Sequence, residues 1–453
     1  MSDRQTSFLL TDLYQFAMMQ AYLEAGATHT AVFEFFVRKL PASRNFLMAA
    51  GLEQVLRFLE DIRPSEDELS WLEQSGHFSP SFIEALRSFR FTGDVHAMPE
   101  GTVFFPNEPI IRITAPLPQA QYVETRIINL VHIQTVLASK AVRMVLAAQG
   151  RTLVDFGLRR AHGAEAGLLA ARASYVAGFN GSANVQAERD FGVPAFGTMA
   201  HSFVQAFDSE DAAFESFAKA RPENVVLLID TYDTQEGARR VVKLAPKLQA
   251  LGISIGGVRL DSGDLRELAK AVRQILDEGG LSDVTIFASG GLDENSISEL
   301  LAKRAPIDGF GVGTSLTTST DAPALDCAYK LQEYGGQARR KRSAGKATWP
   351  GRKQVWRRLD SAGKLTGDVI TLEDDPQRGV PLLKQVMRAG KRLGPALSLK
   401  ETRAHAASQL DALPDALRDI TKTAPYEVQI SPRLRALAAE VDRFIDEGPD
   451  GKP

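Results

Sequence analysis

Paired glycines follow two apolar runs in the middle of the chain and suggest a phosphate site. Gly290 and Gly291 lie in ASGGLDENSI, while Gly311, Gly313 and Thr314 lie in FGVGTSL. Glycine lets the backbone approach an anion closely, and the free N–H groups at the start of a helix bind the anion. Two such segments in succession predict a ligand that carries phosphate, with ordinary turn glycines as the alternative for each segment alone.

Carboxylates follow two other apolar runs. Asp230 and Asp233 lie in LIDTYDT, and Asp261 and Asp264 lie in VRLDSGD, where Arg259 shares a strand face with Asp261. Carboxylates at strand ends accept hydrogen bonds from ribose hydroxyls or hold Mg²⁺ through water, and aspartate is also a common helix N-cap. We therefore assign Asp230 and Asp261 to catalysis, and Asp233 and Asp264 to capping.

Histidine and arginine supply the remaining candidates. His201 lies in the small-residue turn GTMAHSF, where imidazole serves as a nucleophile, an acid or base, or a structural residue, and His162 is its competitor. Arg159 and Arg160 follow the run TLVDFG, and a guanidinium binds a carboxylate or phosphate through two parallel hydrogen bonds. Because one of two adjacent arginines usually faces solvent, we expect only one to bind a ligand.

Short apolar runs precede all these residues and predict the strands of a parallel sheet. They begin roughly 25–40 residues apart, with helix-like segments between them, which is the spacing of β-α units. We therefore predict an α/β fold with an irregular, TIM-like β/α barrel and functional loops at the strand C-termini. An open doubly wound sheet is the alternative. The runs are TLVDFG (152–157), VPAFGT (193–198), NVVLLID (224–230), SIGGVRLDS (254–262), VTIFASGG (284–291) and GFGVGT (309–314).

The flanking regions have other patterns and suggest three segments. We predict an N-terminal α/β domain over 1–125, the barrel over 126–325, and a C-terminal segment over 326–453 that packs on the others. Within the last segment, residues 339–358 hold nine basic residues and no acidic one. Such a stretch is usually a solvated face, with phosphate contact as the alternative.

Composition narrows the class of protein. The chain has 453 residues, 44% hydrophobic and 24% charged, which is typical of a soluble globular protein, and its net charge of −3 argues against a nucleic-acid partner. The single cysteine, Cys327, forms no internal disulfide, which favours a reducing compartment. The N-terminus does not have the pattern of a signal peptide, and we expect no membrane span, so we predict a cytoplasmic protein.

As an ordered set, these motifs resemble the nicotinate phosphoribosyltransferase family. The matching segments are TDLYQ (11–15), FEFFVRKLP (33–41), DFGLRRAHGAEAG (155–167), GTMAHSF (197–203), IDTYDT (229–234), VRLDSGDL (258–265), FASGGLDE (287–294), GFGVGTSL (309–316) and KATWPGRKQV (346–355). The resemblance implies a type II phosphoribosyltransferase fold and a homodimer whose active sites draw on both subunits. It also implies that nicotinate and phosphoribosyl pyrophosphate form nicotinate mononucleotide and pyrophosphate, coupled to ATP hydrolysis with Mg²⁺.

The resemblance also implies roles for individual residues. His201 corresponds to a histidine that ATP phosphorylates. Phe156 and Tyr14 correspond to aromatic residues that sandwich the pyridine ring. The remaining implied positions bind charged groups of the substrates: Arg159 near the ring, Arg259 in the VRLDSG strand, and Arg38 and Lys140 near the pyrophosphate-bearing substrate.

Three alternative functions remain. Nicotinamide phosphoribosyltransferase is similar in architecture, but in that relative an aspartate near an FNGS-like segment accepts a hydrogen bond from the amide. Here FNGSANVQA (179–187) places Ala183 at about that position, which favours an anionic ring. Quinolinate phosphoribosyltransferases are much shorter chains. A non-catalytic phosphate-binding barrel is disfavoured because His201 accompanies intact aspartate and glycine loops.

Overall fold

The structure is a computed structural model that describes residues 7–447. The chain forms two compact units. The first unit combines the residues up to Val136 with those from Ala324 onward, and the second, here called the barrel unit, is Leu137–Pro323. The first unit therefore joins the predicted N-terminal domain to most of the predicted C-terminal segment.

The N-terminal part of the chain alternates helices with short strands. Ser65 begins one helix with a capping box, because its side chain accepts from the backbone of Glu68 while the Glu68 side chain accepts from the backbone of Ser65. The elements are α1 (Leu13–Glu24), β1 (Thr30–Val37), β2 (Leu47–Met48), α2 (Leu52–Asp61), α3 (Glu66–Ser75), α4 (Pro80–Arg87), β3 (Asp94–Ala97), β4 (Val103–Phe104), β5 (Ile111–Pro116), α5 (Leu117–Tyr122) and α6 (Glu124–Ala148).

The barrel unit alternates strands and helices, as the spacing of the apolar runs predicts. Asp233 and Asp264 cap two of its helices, accepting hydrogen bonds from the backbone of Glu236 and of Arg266 and Glu267, which confirms their predicted capping roles. The elements are β6 (Thr152–Asp155), α7 (Ala164–Ala177), β7 (Gly181–Ser182), α8 (Val185–Phe191), α9 (His201–Gln205), α10 (Glu210–Ala220), β8 (Val225–Leu228), α11 (Thr234–Gln249), β9 (Ile255–Leu260), α12 (Leu265–Glu278), β10 (Thr285–Ala288), α13 (Glu294–Ala302), β11 (Gly309–Val312) and α14 (Thr314–Thr317).

The C-terminal part of the chain is mainly antiparallel and ends in a long helix. The elements are β12 (Cys327–Tyr334), β13 (Gln337–Ala338), β14 (Lys353–Leu359), β15 (Leu365–Leu372), β16 (Val380–Pro381), β17 (Lys384–Arg388), β18 (Lys391–Arg392), α15 (Leu399–Asp411), α16 (Asp415–Arg418), β19 (Val428–Ile430) and α17 (Pro432–Glu447).

A seven-stranded sheet organises the first unit. Its order is β13-β12-β1-β5-β3-β17-β18, so strands from both ends of the chain hydrogen-bond to one another. The central strand β1 pairs antiparallel with β12 and β5, and its residues 31–37 are all buried. A four-stranded sheet, β16-β14-β15-β19, and the pair β2-β4 complete the strands of this unit in the described residues.

Six parallel strands form a curled half-barrel in the barrel unit. Their order is β7-β6-β11-β10-β9-β8, and Ala195 adds an isolated parallel bridge to Ser182 beyond β7. The predicted strand VPAFGT is therefore wrong: only Ala195 pairs. Pro194 lacks a backbone N–H and Gly197 adds flexibility, so the run cannot sustain a ladder.

The helical stretch formed by α5 and α6 is strongly hydrophobic. Leu117–Ala148 is long and apolar enough to cross a membrane by length and composition, and 78% of its most apolar window is buried inside the protein. That degree of burial is typical of a core helix, which accords with the expectation of no membrane span.

The basic stretch 339–358 is largely engaged in ion pairs, so it is not a simple solvated face. Its pairs are Arg340–Asp442 (3.1 Å), Arg342–Asp446 (2.7 Å), Arg352–Glu333 (2.8 Å), Lys353–Glu34 (2.7 Å) and Arg357–Asp368 (2.6 Å). The first two attach the stretch to α17. The stretch therefore ties neighbouring elements of the first unit together.

Candidate active site

Two aspartates meet where β8 and β9 end. Asp230 is 9% exposed, and its Oδ2 accepts hydrogen bonds from the Asp261 backbone N–H (2.9 Å) and the Ser262 hydroxyl (2.6 Å). Its Oδ1 is buried without a hydrogen-bond partner. Asp261 Oδ1 accepts from the Ser289 hydroxyl at 2.5 Å. Hydroxyl and backbone donors thus fix both carboxylates, and one buried oxygen is left to receive a ligand.

His201 joins this pair from the start of α9. Its Nδ1 lies 3.2 Å from the Thr231 hydroxyl oxygen, and its Nε2 lies 3.8 Å from Asp261 Oδ2. The side chain remains 39% exposed, so a second reactant can reach the ring. His162, the competing histidine, is exposed.

Arg259 lies beside the aspartates. Its Nη1 donates to the Thr198 hydroxyl at 2.9 Å, and its Nη2 lies 4.0 Å from Asp261 Oδ1. Burial lowers the pKa of Arg259, and the carboxylates of Asp261 and Asp230 counter that effect. A partly desolvated guanidinium of this kind binds an anion more strongly than one in water.

Phe156 offers an aromatic face at the same edge. The guanidinium carbon of Arg259 lies 5.8 Å from the centre of its ring. Gly311 lies directly against that ring, because a Cβ at Gly311 would come within 2.5 Å of ring atoms. This contact accounts for glycine at position 311 without any phosphate. Arg159 is exposed in the turn after Phe156, and its charge contributes to lowering the pKa of Arg259.

The two glycine segments are neighbours, as the order of β10 and β11 requires. The Ser315 hydroxyl donates to the Leu292 carbonyl and links the two loops. Gly290 has φ +95°, and a Cβ there would lie 2.1 Å from the Asp261 carbonyl oxygen, so only glycine fits. Gly291 (φ +65°) faces open space, and Gly313 precedes α14, whose first residue Thr314 is exposed.

Three predicted site residues lie outside this cluster. Lys140 is 1% exposed and pairs with Glu294 (2.6 Å) and Asp321 (3.0 Å), so its charge is already compensated by protein carboxylates. Arg38 and Tyr14 belong to the first unit. Arg38 pairs with Asp326 at 2.8 Å, and Tyr14 is 48% exposed on α1. The assignments of Lys140, Arg38 and Tyr14 to substrates stay predictions.

Several supporting residues escaped prediction from the sequence. Thr198, Thr231 and Ser289 hold Arg259, His201 and Asp261 through their hydroxyls. Serine and threonine are frequent in every loop, so their identity alone gave no signal. For Thr231 and Ser289, the position near the end of an apolar run was the usable clue, because side chains at the ends of parallel strands lie at the same sheet edge.

The aspartates could hold a magnesium ion together with a ligand. The described residues contain no group of three or more His, Cys, Asp or Glu side chains arranged for a metal. Mg²⁺ usually takes only one or two carboxylates, water and substrate phosphates. The buried, unpartnered Oδ1 of Asp230 fits that arrangement.

Comparisons with known proteins identify the family to which the chain belongs. Three family models match in order: the nicotinate phosphoribosyltransferase (NAPRTase) N-terminal domain over residues 9–132, the nicotinate phosphoribosyltransferase (NAPRTase) family over 151–340, and the nicotinate phosphoribosyltransferase C-terminal domain over 375–438. Nicotinate phosphoribosyltransferase pncB2 of Mycobacterium tuberculosis is 53% identical over 428 residues, covering 94% of this chain and 92% of the relative. The chain belongs to the nicotinate phosphoribosyltransferase family.

Further similarities support membership of the nicotinate phosphoribosyltransferase family and its fold. The nicotinate phosphoribosyltransferase of Bacillus subtilis is 40% identical, covering 81% of this chain and 76% of the relative. The crystal structure of the human nicotinic acid phosphoribosyltransferase superposes with a TM-score of 0.86 at 31% identity, covering 96% of this chain and all of that chain. These matches confirm the family resemblance and the predicted fold class.

Proposed function

We propose that this chain is a cytoplasmic enzyme that forms nicotinate mononucleotide and pyrophosphate from nicotinate and phosphoribosyl pyrophosphate, in NAD salvage. The observation that carries the proposal is the convergence of Phe156 and Arg259 with Asp230 and Asp261 at one edge of the half-barrel. A flat anionic ring needs an aromatic face and a cation, while a ribose needs hydrogen-bond acceptors. Membership of the family supports the same substrates.

The residues match the demands of the transition state. Breaking the bond from ribose C1 to pyrophosphate builds positive charge on the sugar while the ring nitrogen attacks, so both reactants must be held in line. Phe156 positions the ring, Arg259 and Arg159 supply positive charge for its carboxylate, and Asp230 and Asp261 face the ribose. The 5-phosphate is assigned to the linked glycine loops, at Gly290, Gly291, Gly313 and Thr314. Gly311 is left out of this assignment, because its contact with the Phe156 ring already accounts for the glycine.

Mg²⁺ is part of the proposal. Asp230 and Asp261 would hold the ion, supported by the unpartnered buried oxygen of Asp230 and by the preference of Mg²⁺ for oxygen ligands. When bound, the ion neutralises charge that develops on the departing pyrophosphate.

We further propose that ATP hydrolysis is coupled to synthesis through phosphorylation of His201. The ring is accessible at the first residue of α9, and Asp261 lies 3.8 Å from its Nε2. A carboxylate at this distance stabilises the positive charge that the imidazole acquires when it accepts a phosphoryl group. The phosphoryl oxygens can then engage Mg²⁺ or arginine and order the nearby loops.

A homodimer whose active sites draw on both subunits is also proposed. Tyr14 is 48% exposed on α1, and the neighbouring Leu10 and Leu13 are 54% and 62% exposed, which gives an apolar surface suited to a partner. On this proposal Tyr14 covers the second face of the pyridine ring. Burial, together with Glu124 and Asp12, raises the pKa of Tyr14, so its hydroxyl stays neutral.

The deciding experiment measures nicotinate mononucleotide formed from nicotinate and phosphoribosyl pyrophosphate, with and without ATP. We expect synthesis in both conditions and faster synthesis with ATP, accompanied by ADP release. No product in either condition would favour the non-catalytic phosphate-binding barrel. Efficient product formation from nicotinamide in a parallel assay would favour the nicotinamide enzyme instead. Sedimentation of the same sample measures its oligomeric state and so tests the proposed homodimer.

A further inference from the structure

Asp155, the last residue of β6, holds two separate loops with one buried carboxylate. It is 1% exposed. Its Oδ1 accepts from the backbone N–H of Gly157 at 2.7 Å, and its Oδ2 accepts from the Ser182 hydroxyl at 2.8 Å. Its main-chain carbonyl also accepts from the Ala183 N–H at 2.8 Å. One residue therefore fixes the exits of both β6 and β7.

The first of these loops carries the proposed ring contacts. Phe156 and Arg159 flank Gly157, whose backbone is packed so closely that a Cβ there would lie 2.1 Å from Thr317 Cγ2. The hydrogen bond from Gly157 to Asp155 therefore sets the exit angle of the chain at a crowded point. A shift there would move Phe156 directly.

The second loop extends the connection toward Arg259. The Ser182 hydroxyl accepts from the Asn184 N–H at 3.1 Å, and the Ser182 carbonyl accepts from the Phe196 N–H at 2.9 Å. Phe196 lies two residues before Thr198, which binds Arg259. Asp155 thus connects the aromatic face to the segment that positions the guanidinium.

The chemistry of this position favours a carboxylate. An ionised carboxylate only accepts, so it suits an N–H donor on one oxygen and a hydroxyl donor on the other. Burial raises the pKa of Asp155 to about 6, while the hydrogen bonds from Gly157 and Ser182 act in the opposite direction. An unpaired buried carboxylate costs stability, so its presence is better explained by the geometry it enforces than by stabilisation.

We propose that Asp155 is a positioning residue that aligns the Phe156–Arg159 segment with the Ser182–Ala183 segment, and thereby sets the affinity for the pyridine substrate. The proposal rests on the proposed function. Asp155 acts through the backbone of Gly157 and the hydroxyl of Ser182, and it does not react itself.

The test compares Asp155→Asn and Ser182→Ala with Asp308→Asn. Asp308 is the control for an exposed aspartate that also accepts from a backbone N–H, because its carboxylate accepts from the Ile286 N–H at the opposite end of the same sheet. For Asp155→Asn we expect about a tenfold rise in KM for nicotinate and a KM for phosphoribosyl pyrophosphate within about twofold of wild type. Ser182→Ala should shift the same constant less, and Asp308→Asn should not shift it.

The double variant Asp155→Asn/Ser182→Ala should raise the KM for nicotinate by less than the product of the two single effects. The reason is that both substitutions break the same hydrogen bond, between Ser182 and Asp155. A purely structural role would lower the active fraction and hence kcat, with both KM values unchanged. That pattern would overturn the proposal. Ser182→Ala removes only a hydroxyl, so it keeps the test decisive if Asp155→Asn fails to fold.

Calorimetric titration with nicotinate separates this inference from the proposed function. Weaker binding by Asp155→Asn than by wild type supports the positioning role, and equal affinity would overturn it. If the wild type binds nicotinate but makes no nucleotide, the proposed function fails while the positioning role stands.

Discussion

Nε2 of His201 lies 3.8 Å from Oδ2 of Asp261, whose other oxygen accepts from the Ser289 hydroxyl. The carboxylate is therefore held in one orientation toward the imidazole. Because Asp261 also lies 4.0 Å from Arg259, a change of charge on His201 is felt at the guanidinium through a single side chain. If His201 is phosphorylated as we propose, this relationship would carry the change of charge to Arg259.

Replacing His201 should separate synthesis from ATP coupling. We expect His201→Asn to lose ATP hydrolysis and the stimulation by ATP, but to retain weak ATP-independent synthesis, because Phe156, Arg259 and the aspartates remain. Labelled γ-phosphate should give an acid-labile, base-stable label on wild type but not on His201→Asn. His162→Asn is the control, since His162 is exposed, and it should keep both label and stimulation. A label that survives in His201→Asn but not in His162→Asn would reverse the assignment.

Substrate choice should depend on charge at position 183. Wild type should prefer nicotinate over nicotinamide by about 100-fold in kcat/KM, because a mismatched buried charge costs a few kcal/mol. Ala183 is exposed, so the protein can accommodate Ala183→Asp. The new carboxylate should repel the carboxylate of nicotinate and so reduce the preference for nicotinate over nicotinamide. Ala183→Asn is the neutral control. Equal kcat/KM for the two rings in wild type would contradict the prediction.

Gly313 tests the phosphate assignment. A Cβ there would lie 3.4 Å from the Phe156 carbonyl oxygen, which leaves room for a side chain, although the ψ of −102° at Gly313 strains a valine. In folded Gly313→Val, the side chain should block backbone approach to the 5-phosphate. We expect the KM for phosphoribosyl pyrophosphate to rise at least about tenfold. Gly256→Val is the control, with its Cβ 3.7 Å from the Val225 carbonyl oxygen in the neighbouring strand β8. Unchanged sugar-phosphate binding in Gly313→Val would remove Gly313 from the site.

Short-range patterns predicted much of the sheet and the edge that bears the site. Apolar runs ending in Asp, Gly or Ser located β6, β8, β9, β10 and β11, because parallel strands are buried on both faces and stop at polar loops. VPAFGT had the same composition but failed, since ladder formation depends on backbone N–H groups as well as hydrophobicity.

The sequence did not reveal which side chains far apart in the chain pair with one another. Nothing local to Lys140 indicates that Glu294 and Asp321 will surround it, and the family resemblance associated it only with the pyrophosphate-bearing substrate. Asp155 was overlooked for a similar reason. An aspartate at a strand end looks like a turn residue until Ser182, 27 positions later, is seen to bond to it.

A buried carboxyl in the first unit should make stability depend on pH. Burial and the nearby Asp368 raise the pKa of Glu108 well above its usual range, while Arg357 partly counters this. A raised carboxyl pKa contributes stability below the unfolded-state pKa of about 4.5, and that contribution is lost as pH rises through the folded-state value. Glu108→Gln should therefore gain stability relative to wild type between pH 5 and pH 8 in urea unfolding. A constant difference would contradict it.

Replacing Lys140 tests whether this cation supports the structure or binds substrate. Its ammonium lies 2.6 Å from Glu294 and 3.0 Å from Asp321, and Arg143 contacts the same glutamate at 2.8 Å. Removing one partner of a buried ion pair leaves uncompensated charge, so Lys140→Met should lower the free energy of unfolding by about 3–5 kcal/mol.

If Lys140 only supports the structure, Lys140→Met should change the steady-state kinetics little. Glu294 is the first residue of α13, directly after the loop of Gly290 and Gly291, so loosening it should raise the KM for phosphoribosyl pyrophosphate only modestly. Lys303→Met is the matched control: its pair with Glu299 is exposed, and its loss should leave the free energy of unfolding nearly unchanged. Urea unfolding and steady-state kinetics on both variants settle the role. A tenfold rise in that KM without loss of stability in Lys140→Met would instead show that Lys140 binds the substrate.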